Sequence, residues 1–124
     1  MTTLPRPVLR AAVFDAAAIV LFVAVGRNNH DEGGNPVAET LKVAAPFLIA
    51  LAVGWVVARA WQRPDSLRTG LVIWPITVAL GMVLRHWVFD RGTATSFIVV
   101  ATIATAVLLL GWRLVALLVG RRAR

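Results

Sequence analysis

Asp15 and Arg113 lie inside long apolar runs, where an ionised side chain is expensive, so they are the first places to look for chemistry. Counted in from Arg10, Asp15 falls about 7 Å below one surface; counted back from Gly120, Arg113 falls about 10 Å below the same surface, at ~1.5 Å per residue. A carboxylate within a bilayer costs on the order of 3 kcal/mol and normally faces a partner or a cavity. The matched depths predict an Asp15–Arg113 ion pair bridging the first and last apolar segments. The competing reading makes Asp15 a titrating proton or cation site on a pathway, with Arg113 snorkelling to the surface instead.

A second group gathers towards the opposite end. Arg85 and His86 close the third segment, Arg27 and His30 open the first connection, and Asp31, Glu32, Glu39 and Asp90 lie close to them in sequence. Three chemistries fit this outer polar cap. It is a solvated set of ion pairs, an anion or lipid head-group site using Arg27 and Arg85 as forked donors, or a metal site at His30, His86 and a carboxylate. Two histidines in separate segments are too few to expect a metal. Cysteine is absent, which removes disulfides, thiolate metal sites, covalent haem and a cysteine nucleophile. No nucleophile-and-base spacing, Gly-rich phosphate loop or H-E-x-x-H pattern occurs. The expectation is a protein that is not an enzyme and carries no cofactor.

The elements that must position these residues are four apolar stretches at about 8–26, 43–61, 71–89 and 94–120, each long enough to cross a ~30 Å hydrocarbon core. Hydrophobic residues make up 59% of the 124-residue chain and charged ones 15%, against roughly 45–50% and 25% in soluble domains. Windows such as 47–58 and 97–111 carry no charge at all, which means apolar contact all round. The fold class is therefore an all-α, polytopic integral membrane protein. Residues 1–124 form one up-down bundle of four transmembrane helices, with an outer loop at 27–42 and a cytoplasmic turn at 62–68. The first segment also loosely fits a signal peptide ending at Ala24-Val25-Gly26, but Asp15 inside the run argues for a retained span.

Arginine placement sets the orientation. Arg6, Arg10, Arg59, Arg63, Arg68, Arg113, Arg121, Arg122 and Arg124 fall on one side; only Arg27, Lys42, Arg85 and Arg91 fall on the other. The positive-inside rule puts both termini in the cytoplasm of a cell-membrane protein. The net charge of +7 is thus read as topology signals facing anionic lipid, with no nucleic-acid partner. Pro64 ends the second helix in a tight turn, Pro36 suits a first helical turn, and Pro46 and Pro75 fall inside helices, where they favour kinks. Thr93 or Thr95 is a candidate cap for the last helix.

Apolar helices in lipid associate through close packing, so small residues mark candidate interfaces. Ala50, Gly54 and Ala58 line one face of the second helix, and Gly81 and Gly111 offer further close approaches. Trp55 and Trp74 lie deep and read as packing residues, while Trp61, Trp87 and Trp112 lie nearer helix ends. A short echo links Gly54-Trp55 with Gly111-Trp112. Small faces left over by one four-helix unit predict a homo-oligomer.

The chain resembles an uncharacterised family of small membrane proteins known as domain of unknown function 3054. The resemblance spans roughly 9–113. It rests on Arg27 with His30, Pro46-Phe47, Gly54-Trp55, Ala58-Arg59-Ala60-Trp61 and Pro64, and continues through Gly70, Trp74 with Thr77, Gly81-Met82 with Arg85, Gly92-Thr93-Ala94 with Phe97, and Gly111-Trp112-Arg113. It implies four spans and transfers no catalytic role. Two functions are then expected: a small-solute or ion transporter working as an oligomer, with Asp15, Arg85 and Arg113 on its pathway, or a non-catalytic accessory subunit of a larger membrane complex. The two differ in whether Asp15 opens to water or is sealed against Arg113.

Overall fold

The computed structural model describes residues 5–30, 35–88 and 95–122. These form four helices: α1 (Arg6–His30), α2 (Pro36–Ala58), α3 (Leu67–Trp87) and α4 (Thr95–Arg122). All four are long and apolar enough to cross a membrane. The protein is an all-helical, multi-pass membrane protein.

Helix ends follow local capping more than hydropathy. At the start of α2 the Asn35 side chain accepts from the N–H groups of Val37 (3.0 Å) and Ala38 (3.2 Å), and Pro36 occupies the first turn where its missing N–H costs nothing. Thus α2 begins seven residues before its apolar run at 43, and Pro46 lies within an unbroken helix. It ends at Arg59, which takes the left-handed conformation (φ 51°, ψ 52°). There the Arg59 N–H bonds the Val56 carbonyl and the Ala60 N–H bonds the Trp55 carbonyl, a Schellman closure that glycine normally serves. An arginine in that conformation costs roughly 1–2 kcal/mol. Ser66 then caps α3, its hydroxyl accepting from the Arg68 N–H at 3.2 Å, and α3 runs through Pro75. The first helix continues past its apolar run through Arg27 to His30, so these two residues extend α1 instead of opening a loop. Where the hydrocarbon stops and where the helix stops are different places. Thr93 lies outside the described residues.

Each helix packs against two others: α1 and α3 both touch α2 and α4, and the α2–α3 interface is the most extensive. Glycine is the reason for that closeness. A Cβ on Gly54 would stand 3.4 Å from the backbone of Ile73, and one on Gly81 would drive into the Phe47 ring, 2.8 Å from Cε1. Phe47, Phe22 and Phe97 form an aromatic cluster with ring centroids 6.1 to 6.3 Å apart, drawing α2, α1 and α4 together. Ile19, Ala44, Ile73, Ala101 and Leu109 complete a fully buried core. Outside it the surface is equally apolar, with Val13, Val57, Ile103 and Val107 each about 60% exposed, as contact with acyl chains requires.

The small-residue expectations divide. Ala50 and Gly54 are buried and Ala58 packs on the core, so this stripe is occupied within the chain and is not left over for a second copy. Gly81 seats Phe47. Gly111 departs from the expectation: a Cβ there would meet nothing within 4 Å, because α4 turns that position away from its neighbours. Gly81→Ala should therefore cost about 1–3 kcal/mol through overpacking. Gly111→Ala should be neutral or gain up to ~1 kcal/mol from helix propensity. Reversible unfolding in mixed micelles separates the two.

Candidate functional site

Asp15 lies nine residues into α1 and Arg113 nine residues before the end of α4, and both side chains are completely buried. Arg113 meets the carboxylate with both ends of its fork: NH1 to Oδ1 and NH2 to Oδ2, each at 2.7 Å. Such a bidentate, charge-assisted pair is among the strongest side-chain contacts available. Two indoles complete the arrangement. The Trp112 Nε1–H donates to Oδ1 at 2.8 Å and the Trp55 Nε1–H donates to Oδ2 at 2.9 Å.

The guanidinium is satisfied in turn by backbone. Its Nε–H donates to the Pro64 carbonyl at 3.1 Å and NH1 also donates to the Leu109 carbonyl at 3.0 Å. Gly70, in the first turn of α3, gives the arginine its slot: a Cβ there would stand 2.9 Å from Arg113 Cδ and 2.8 Å from Leu110 Cδ2. So α1 supplies the acid, α2 and α4 the indoles, α4 the base, α3 the space, and the α2–α3 turn the closing carbonyl. Phe14 packs on Trp112 with ring centroids 5.1 Å apart, covering the site from α1.

A carboxylate offers about four lone-pair positions. Four N–H donors occupy them here, two on each oxygen. The arrangement can neutralise and orient a buried charge. It leaves no acceptor for water, a cation or a substrate.

Of the polar cluster expected at the opposite end, Arg85 and His86 lie among the described side chains. The Arg85 guanidinium carbon lies 4.1 Å from the Phe97 ring centroid, a cation–π contact that seats it on the aromatic cluster. His86 stands edge-on to Trp87 with centroids 5.1 Å apart. Asp90, Asp31 and Glu32 lie outside the described residues, as do the side chains of Arg27 and His30. At the same end Glu39 pairs with Lys42 at 3.5 Å, one turn apart on α2.

Depth counting brings Asp15 and Arg113 together, but Trp55, Trp112, Pro64 and Gly70 were missed as parts of the site. Their depth in the sequence suggests packing for Trp55 and an interfacial ring for Trp112, whereas both indoles donate to Asp15. The signal was the repeated Gly-Trp: both tryptophans of that echo aim their indole nitrogens at the same carboxylate, while only one of the two glycines is at a close approach.

A family model described as "Protein of unknown function (DUF3054)" matches residues 12–116, a stretch containing every residue of this site. No curated protein and no solved structure matches the chain.

Removing one donor from an ionised acceptor should cost about 1.5–3 kcal/mol, so Trp55→Phe and Trp112→Phe should each lower stability by that amount. Asp15→Asn strands the buried Arg113 and should cost about 3–5 kcal/mol. A double-mutant cycle pairing Asp15→Asn with Arg113→Met, read by unfolding in micelles, should show the double variant well above the sum of the singles.

Proposed function

The chain belongs to the DUF3054 family of proteins of unknown function, and on that premise we propose that it is a non-catalytic accessory subunit of a larger assembly in the cell membrane. Arginine sorting supports an orientation with both termini in the cytoplasm. The observation that carries this reading is the sealed state of Asp15. A carrier of protons or cations needs an acid that reaches water, and a group in an apolar span with every lone pair already engaged does not. What such a centre supports is shape: it fixes the register of four helices so that their apolar outer faces form a defined surface for lipid and for neighbouring helices.

The transporter reading routes flux through Asp15, Arg85 and Arg113. Two of those are tied to each other, and the third rests on an aromatic ring at the other end of the bundle. The distinction is direct to measure. In vesicles loaded with a pH-sensitive dye, the purified protein should pass protons no faster than protein-free vesicles, and Asp15→Asn should change nothing. Mild solubilisation of the native membrane should place the chain in a species heavier than the purified protein alone forms. Asp15-dependent flux would reverse the assignment in favour of transport.

A further inference from the structure

We propose that the α2–α3 turn forms a binding site for a phosphate-bearing anion, either the head group of an anionic phospholipid or a soluble phosphate compound. A cavity of about 360 Å³ opens at this turn, lined by Arg59, Gln62, Arg63, Ser66, Arg68 and Thr69, with Ala58 and Val72 as its apolar wall. This site is separate from the Asp15 centre and goes beyond the accessory role.

Charge is the first support. Arg59, Arg63 and Arg68 are exposed, and among the described residues none of the three is ion-paired. Asp65 lies in the same turn but does not line the cavity. Three arginines line one cavity, and the guanidinium group offers the planar, forked recognition that phosphate oxygens favour.

Rigidity is the second. The Thr69 hydroxyl donates to the Arg63 carbonyl at 2.6 Å, and the Arg113 Nε–H donates to the Pro64 carbonyl at 3.1 Å. Two consecutive carbonyls of the turn are thus pinned, while the arginine side chains are left for a ligand. Preorganisation of this kind lowers the cost of binding.

Position is the third. Ala58 ends α2, and Val72 lies five residues into α3, about 7 Å in from the start of that helix at ~1.5 Å per residue. The cavity therefore runs from head-group depth towards the hydrocarbon, which suits a lipid entering with its phosphate uppermost. Arg59 also occupies a left-handed position that favours glycine.

The test is native mass spectrometry of the full-length protein in detergent with equal phosphatidylglycerol and phosphatidylcholine. The wild type should retain phosphatidylglycerol preferentially. Arg63→Ala and Arg68→Ala should each lower that preference roughly tenfold, as the loss of one charge-assisted hydrogen bond to a phosphate oxygen implies. Arg59→Gly should lower it similarly while melting no lower than wild type, since glycine relieves the backbone; a merely structural arginine would not separate the two. Arg6→Ala with Arg10→Ala removes charge from the same end of the bundle outside the cavity and should leave the preference intact. Millimolar inorganic phosphate distinguishes the ligand sources: release of bound phosphatidylglycerol identifies a soluble phosphate site, and retention identifies the lipid head group. Equal retention of the two lipids, or an equal loss in the Arg6/Arg10 variant, would overturn the proposal.

Discussion

A carboxylate held by four N–H groups inside an apolar bundle is the constraint on which the rest of this molecule depends. Asp15 alone would oppose insertion of α1 by on the order of 3 kcal/mol, and Arg113 alone would oppose insertion of α4 similarly. Brought together with two indoles, they become the fixed point of the fold, because neither charge has another way to be satisfied within hydrocarbon. A buried pair of this kind is a poor source of net stability compared with well-packed apolar residues, but breaking it by half is severe. Its value lies in specifying one arrangement. Apolar helices in lipid slide and rotate against each other at little cost, and this centre accepts a single register from all four.

The two ends of the bundle are organised by different physics. Towards the α2–α3 turn, polar satisfaction dominates: the Schellman closure at Arg59 aims the chain back, Pro64 presents its carbonyl to Arg113, and Gly70 clears space for the arginine stem. Towards the other end, the described residues are held by shape as well, with Phe22, Phe47 and Phe97 interlocked and Gly81 hollowed to admit Phe47. Trp74 links the regimes, its indole N–H reaching the Thr102 carbonyl of α4 at 3.0 Å. The sealed acid and the arginine-lined cavity therefore meet at the same turn without sharing a side chain: Arg113 takes the Pro64 carbonyl, while Thr69, which lines the cavity, takes the Arg63 carbonyl.

Much of the fold was legible in the residues. Long uncharged windows leave only a membrane as solvent, and two opposite charges at equal depth have few partners other than each other. The helix ends were less legible, because hydropathy marks the edge of the hydrocarbon whereas Asn35 and Ser66 mark the caps. The donors to Asp15 were hidden for a related reason: composition places a tryptophan at a depth but does not say where its nitrogen points. Gly54 and Gly111 show the limit most clearly. Each precedes a tryptophan serving the same carboxylate, yet only Gly54 faces a backbone, and that difference is a property of helix rotation, not of local sequence.

Indole proton exchange tests the centre most directly. In a two-dimensional spectrum of the micelle-bound protein, the Nε1–H resonances of Trp55 and Trp112 should persist long after transfer to D₂O, while those of Trp61 and Trp87, exposed near the bundle ends, disappear at once. Asp15→Asn should abolish the protection of both buried donors together. If Trp55 and Trp112 exchange as fast as Trp61, or keep their protection without the Asp15 carboxylate, the four-donor centre is not what holds these helices in register.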